Sequence, residues 1–302
     1  MVIFQDFSIR PSSVIEKQSE VIYCFQSTDV NIDESTVEAF GDEWTKFNSF
    51  SQEEINSIAS KHYFDIVPKE YITEKTVLDV GCGTGRWSKY ISQYAKTVDA
   101  VDPSIAIESA AKLLGDCNNV RLSKATVGNL PFADNSFDFV FSLGVLHHIP
   151  DTKLALQQCV MKLKPGGYFL VYLYYRFDNR GLFFKMLFYL SAIFRKLISA
   201  MPSDLKNFVC DIIACIVYLP FVWLATMFNR FRFVSLAKKL PLFFYVGKSF
   251  HVIRNDARDR FGTPLEQRFT KLEITEMMKA SGLVDIVFSD NDPYWHAIGR
   301  KA

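Results

Sequence analysis

Five short apolar runs, near residues 76–80, 97–101, 119–123, 137–142 and 167–173, alternate with stretches whose apolar residues recur at helical spacing. Strand, helix and strand repeating in this way over residues 76–175 is the pattern of a doubly wound α/β sheet. Upstream, residues 33–67 predict two helices. The first carries Val37, Phe40, Trp44 and Phe47 on one stripe; the second opens with a capping box, Ser51 and Glu54, and aligns Ile55, Ile58 and Ala59. Residues 1–30 give a weaker pattern, with one strand expected over 21–25.

Downstream, Thr270 and Glu273 form a second capping box, opening a helix that ends at Gly282. Two strands are expected to follow, over 283–289 and 295–299. The pattern divides the chain into an N-terminal helical cap (1–70), a sheet core (71–175), an insertion (176–268) and a closing helix with two strands (269–302).

The first strand runs into three alternating glycines in Val77-Leu-Asp-Val-Gly-Cys-Gly-Thr-Gly85. Without Cβ atoms, such a loop turns sharply and lets a ligand approach the backbone. A dinucleotide fingerprint, G-x-G-x-x-G, would need its third glycine at position 86, which is Arg86. That weakens an NAD reading. The next strand ends in Asp102-Pro103-Ser104, and Pro103 puts the Asp102 carboxylate at a C-terminal strand edge, where open α/β sheets bind ligands. Asp99 is the rival acid but lies inside the strand; the plainer reading of Asp102 is a helix N-cap.

The D-x-G-x-G-x-G loop is followed by Leu130-Pro-Phe-Ala-Asp-Asn-Ser-Phe-Asp138, Leu146-His-His-Ile-Pro-Asp151 and Leu163-Lys-Pro-Gly-Gly167. In this order and spacing, they resemble the class I S-adenosylmethionine-dependent methyltransferases, in the branch with the ubiquinone/menaquinone and biotin-pathway enzymes. The resemblance implies a Rossmann-like, seven-stranded sheet with an antiparallel last strand, N-terminal capping helices, and S-adenosylmethionine as cofactor. It also implies that Gly81, Cys82, Gly83 and Gly85 hold the amino-acid and ribose portion, with Asp79 shaping the loop and Asp102 and Pro103 at the ribose. Adenine would lie against Ile105 or a neighbouring apolar side chain and meet the turn at Thr126, Val127 and Gly128, with Leu143 at the next strand end. Many relatives carry an acid where this chain has Thr126, so this turn departs from the family pattern.

The expected acceptor side includes Phe40 and Trp44 from the first helix and Tyr175 after the fifth strand. The alternative for the helical stripe is core packing. His147, His148 and Tyr174 are the candidate catalytic groups, because a histidine can take a proton near neutral pH; positioning is the competing role for the histidines, and packing for both Tyr174 and Tyr175. Arg260, in a segment expected to be irregular, is a candidate for an anionic acceptor group or a salt bridge with Asp256 or Asp259.

Composition fits a cytoplasmic enzyme, and a formal net charge of +1 gives no general reason to expect nucleic acid. The six cysteines form no C-x-x-C pair and no Cys/His ligand set, so no metal or disulfide framework is expected. The N-terminus has no charged segment followed by an apolar run, so no secretory signal is expected.

The insertion alters this picture. Residues 176–248 hold 11 Lys and Arg against 3 Asp, and 212–228 is uncharged and apolar, just short of the roughly 20 residues that span a bilayer. One crossing would strand the last two strands across the membrane from their sheet. A two-pass hairpin would carry Lys185, Arg195 and Lys196 into hydrocarbon. A helix lying in the membrane interface suits basic flanks around Trp223 better, and a plain helical lid is the alternative. The expected activity is O- or C-methylation of a small or lipid-linked acceptor, with peripheral membrane association. The rivals are methylation of a soluble sugar or carboxylate, and a cofactor-binding protein without turnover.

Overall fold

The computed structural model describes residues 3–17, 20–46, 50–176, 181–237 and 240–302. Its strands are β1 (Ser13–Lys17), β2 (Glu20–Cys24), β3 (Thr76–Val80), β4 (Thr97–Val101), β5 (Val120–Lys124), β6 (Phe137–Leu143), β7 (Leu163–Tyr172), β8 (Leu283–Phe288) and β9 (His296–Lys301). They form one sheet in the order β1-β2-β5-β4-β3-β6-β7-β9-β8. From β5 to β7 all neighbours are parallel, while β9 runs antiparallel to both β7 and β8.

The sheet has nine strands rather than the expected seven. The seven strands expected for the sheet are β3 to β9; β2, the strand expected over 21–25, adds to the far edge, parallel to β5, and β1 turns back antiparallel on β2. Both are short, and only Ile22 of β2 is fully buried, so their hydrophobic pattern is weak. By contrast, all five residues of β4 are buried, as are four of the five in β3, because helices cover both faces of these central strands.

Helices α1 (Glu34–Lys46), α2 (Gln52–Ile58), α3 (Arg86–Ile91), α4 (Ile107–Leu114) and α5 (Thr152–Met161) precede the insertion. The insertion holds α6 (Leu182–Ser199), α7 (Ser203–Ile213), α8 (Leu219–Arg230), α9 (Val234–Ala237) and α10 (Phe250–Gly262); α11 (Lys271–Ala280) follows it. Both expected capping boxes form, at Ser51 with Glu54 and at Thr270 with Glu273. Ile55 and Ala59 are buried as expected, but Ile58 is exposed, since the backbone widens into a π-turn from Ala59 and rotates that face outward. Phe47 lies outside the described residues.

Two compact units emerge: Met1–Asp178 with Leu265–Ala302, and Asn179–Pro264. In the first, large buried side chains such as Phe132, Phe137, Phe141 and Phe169 fill the layers on either side of the sheet. In the second, a smaller cluster forms around Ala214, Tyr218, Val222, Tyr245, Ile253 and Ala257.

Candidate functional site

The chain leaves β3 for β4 and β5 on one side, then returns to place β6 on the other, so β3 and β6 flank the topological switch point where open α/β sheets form ligand crevices. The glycine loop sits there. Gly81, Gly83 and Gly85 all have positive φ, at 81°, 53° and 81°. A Cβ on Gly81 would collide with Val145, just after β6, at 2.5 Å, and one on Gly85 would meet Leu114 of α4 at 2.6 Å. At Gly83 a Cβ would meet nothing within 4 Å. The outer glycines thus permit close packing of the protein on itself, while the middle one presents bare backbone to open space.

Asp102 fixes that middle position. Its Oδ2 accepts the Gly83 N–H at 2.8 Å, and its Oδ1 accepts the Ser104 N–H at 2.8 Å and the Ser104 hydroxyl at 2.6 Å. A carboxylate has about four acceptor positions, so these three bonds leave it further capacity. Asp99, the rival, is committed elsewhere: it is fully buried and its Oδ1 accepts from Arg121 Nε at 2.6 Å. Burial raises the Asp99 carboxyl to about 6, against the opposing pull of Arg121.

Beneath the loop, Asp79 is buried and its Oδ2 accepts from the Ser88 hydroxyl at 2.6 Å. Burial pushes its carboxyl up to about 8; the Ser88 bond opposes this and the Asp102 charge adds to it. Cys82 is likewise buried, and burial with the two nearby carboxylates raises its thiol well above the ordinary range, so it offers a compact apolar group rather than a thiolate nucleophile.

Beside Asp102 opens a cavity of about 320 Å³, lined among others by Phe25, Val37, Glu38, Pro103, Ala125 and Thr126. Pro103, expected at the ribose, and Thr126, expected at the adenine, therefore share one hollow with α1. Gly41 of α1 abuts Ile105, where a Cβ would come within 2.9 Å of the isoleucine Cγ2. Val127 is buried on the following turn, and Leu143 is buried at the end of β6. At this turn the structure adds a residue that sequence reasoning missed. Asp29 reaches the turn from the segment after β2, and its Oδ2 accepts the Gly128 N–H at 2.9 Å, while Ser27 and Thr126 hydroxyls lie 3.1 Å apart. An acid thus stands in space near the turn where the sequence has Thr126, from a position 97 residues upstream that no local motif marks. A larger cavity, about 600 Å³, lies along α11 and β8 and includes none of the expected site residues.

At the ends of β6 and β7 an aromatic cluster assembles. The His147 and His148 rings are 4.0 Å apart, and His147 stacks on Tyr174 at 3.9 Å. Phe40 of α1 meets the His148 ring edge-on at 4.7 Å. His148 Nδ1 donates to the Leu265 carbonyl at 2.7 Å, which leaves the lone pair of the neutral ring on Nε2. Trp44, one turn along α1, lies under the Arg86 guanidinium at 4.7 Å, and Phe50 and Trp87 face the same cation at 4.5 and 5.0 Å. Helix α1 therefore reaches both the histidine pair and the residue that follows the glycine loop.

One expected acceptor residue, Tyr175, does not join this cluster. Tyr175 follows Tyr174 but turns the other way, pairing with Phe269 and packing against Tyr294 and Trp295 at ring distances of 5.6 and 6.4 Å. Consecutive residues of an extended chain point to opposite sides, which accounts for the separation. Arg260 lies in the second unit, on helix α10 rather than in an irregular segment, with Nε 3.9 Å from Asp256 one turn back. Among the described residues, no group of three or more His, Cys, Asp or Glu is arranged to hold a metal ion.

Residues 78–171 match the family model described as a methyltransferase domain. Over 118 residues the chain is 33% identical to a ubiquinone biosynthesis O-methyltransferase of Nitrosomonas europaea, covering 38% of this chain and 49% of that protein. Over 105 residues it is 31% identical to a tRNA U34 carboxymethyltransferase of Nautilia profundicola, covering 34% and 35%. The chain thus spans about a third to a half of the length of these curated relatives. The crystal structure of Burkholderia thailandensis 1,6-didemethyltoxoflavin-N1-methyltransferase, with its substrate and S-adenosylhomocysteine, shares the fold. Its TM-score is 0.51 at 18% identity, over 97% of this chain and all of that one. Residues 78–171 thus resemble a methyltransferase domain, carried on the class I Rossmann-like sheet that the Burkholderia thailandensis enzyme shares.

Proposed function

We propose that this protein transfers the methyl group of S-adenosylmethionine to oxygen or carbon of a small or lipid-linked acceptor. The observation that carries this reading is the Asp102 bond to the Gly83 N–H, which presents bare loop backbone to open space while leaving the carboxylate room for hydroxyl donors. An adenosyl group fits the residues around it: Pro103, Ala125 and Thr126 line the adjoining hollow, and Asp29 holds the turn beyond.

When bound, S-adenosylmethionine supplies a sulfonium-activated methyl group, so the protein's task is to align an acceptor and exclude water. Asp102 accepts from the ribose hydroxyls, and the Gly81–Gly85 loop holds the neighbouring portion. Phe40 and Trp44 on α1 close one wall with apolar surface. His148, its Nδ1–H fixed on Leu265, has the tautomer needed to receive an acceptor proton at Nε2; His147, itself stacked on Tyr174, packs against its ring and positions it. A lipid-linked acceptor calls for a cytoplasmic protein held peripherally at a membrane.

Methylation of a soluble sugar or carboxylate, and binding without turnover, are the competing readings. A nucleic-acid acceptor, such as the tRNA in the name of one relative, is disfavoured by charge. Outside residues 179–264 the chain carries 21 Lys and Arg against 29 Asp and Glu, a net −8 that repels phosphate. Incubating the protein with methyl-labelled cofactor and cell extract, then separating lipid, aqueous and RNA fractions, tests the reading. Label in the lipid fraction is expected. Label confined to water-soluble products or RNA replaces the acceptor class, and no transfer anywhere leaves a binding protein.

A further inference from the structure

The second unit turns apolar side chains outward in an ordered way. Helices α7 and α8, joined through a π-turn, make one 27-residue helix, Asp204–Arg230. Along one face Cys210, Ala214, Tyr218, Val222 and Ala225 are buried. The opposite face carries Leu205, Phe208, Ile212, Ile216, Leu219 and Trp223, all exposed, at intervals of three or four residues. Ile216 is 68% and Trp223 69% exposed. In a helix that faces water the second stripe would be polar. Helix α6 repeats the arrangement, with Met186, Leu190, Ile193 and Leu197 exposed along one side.

Charge frames the stripe. Residues 179–264 carry 13 Lys and Arg against 4 Asp, a net +9, whereas the rest of the chain is −8. Two of the acids, Asp211 and Asp256, already pair with arginines of α10. No charge interrupts residues 212–229, and the helix ends in Arg230-Phe-Arg-Phe233, whose two phenylalanines are each more than 60% exposed. An apolar face bounded by bases is complementary to one surface above others, a bilayer with anionic headgroups. A nucleic acid would require the bases on the face itself rather than at its borders.

We infer that the outward stripe of Asp204–Arg230, with that of α6, docks the protein on an anionic membrane surface, lying in the interface and not crossing it. The buried stripe packs on α10, whose Arg258 donates to Asp211 at 2.8 and 2.9 Å, so only one side of the helix can meet lipid. The insertion also lies between β7 and the closing α11, β8 and β9, and β7 pairs with β9, so a single crossing would separate two strands that are joined. This deepens the methyl-transfer reading, on which the lipid-linked nature of the acceptor rests; the docking is read without any turnover.

The full chain is sedimented with phosphatidylcholine vesicles and with vesicles containing phosphatidylglycerol, over a salt series. Binding to the anionic vesicles is expected, with release as salt rises. Ile216→Ser combined with Trp223→Ser is expected to weaken it roughly tenfold by removing buried apolar area. Arg230→Glu with Arg232→Glu is expected to do so through charge. All four side chains lie outside the cofactor pocket, so affinity for S-adenosylhomocysteine should be unchanged, which separates failure here from failure of the enzymatic reading. Brominated acyl chains should quench tryptophan emission of the unaltered protein and lose that effect in Trp223→Phe, a result that needs no destabilising change. The inference is overturned if the protein stays in the supernatant with both vesicle types. It is also overturned if the serine pair sediments like the unaltered chain, or if gel filtration shows a dimer that this pair dissociates, since a second copy would then cover the stripe.

Discussion

Asp102 accepts the backbone N–H of Gly83 at 2.8 Å, tying the end of β4 to the middle of the loop that follows β3. One side chain thereby sets both the loop shape and the acceptor aimed at the ligand. Asp102→Ala is expected to lower affinity for S-adenosylhomocysteine by roughly 1.5–3 kcal/mol, the worth of a hydrogen bond to a charged group. Titration calorimetry on the variant measures this, and unchanged affinity would show that another acid takes the ribose.

The glycines of the loop should separate into two kinds. A methyl at position 85 would press on Leu114 and Ala110, whereas one at position 83 points into open space. Gly85→Ala is therefore expected to lose about 1–3 kcal/mol of folding stability through overpacking, beyond the positive-φ strain that both positions share. Gly83→Ala should lose cofactor affinity more than stability. Denaturant unfolding and calorimetry on the same two proteins distinguish these effects; equal destabilisation with equal binding would contradict the division.

Much of this site is legible in the sequence because its parts are local. The glycine spacing, the acid ending β4 and both capping boxes are fixed by residues a few positions apart, and the central strands announce themselves by being buried on both faces. What escaped depends on contacts distant in sequence. Strand β1 and the pairing of β2 with β5 rest on backbone hydrogen bonds at a sheet edge, which leave little trace in side-chain pattern. Asp29 reaches Gly128 across 99 positions. Tyr174 and Tyr175 look equivalent in sequence, and only the strand's alternation sends one to the histidines and the other to Trp295.

Helix α1 should matter more to turnover than to folding. Trp44 meets the Arg86 cation and Phe40 meets His148, both at the edge of the loop rather than deep in the sheet core. Trp44→Ala is expected to reduce turnover about tenfold by loosening the acceptor wall, with a thermal midpoint lowered by less than about 3 °C. A large loss of thermal stability at normal activity per folded molecule would make the stripe a core element.

Asp79 should leave a signature in the pH dependence of stability. Its folded carboxyl is raised to about 8 from 3.8, chiefly by burial. The neutral form therefore stabilises the fold fully below pH 3.8, and this contribution declines as pH rises, until it is lost above about 8. Asp79→Asn keeps an acceptor for the Ser88 hydroxyl without the charge. Its thermal midpoint should match the unaltered protein near pH 4 and exceed it increasingly up to pH 8, then by a constant margin. A gap independent of pH would mean that Asp79 does not titrate in this range.

Calorimetric titration of the unaltered chain with S-adenosylhomocysteine and, separately, with NAD distinguishes an adenosyl site from a dinucleotide site. The spacing of Gly81, Gly83 and Gly85, with Arg86 where a dinucleotide loop needs glycine, predicts saturable binding of the adenosyl compound and none of NAD. Tighter binding of NAD, or no binding of S-adenosylhomocysteine by folded protein, would rule out an adenosyl site at this loop.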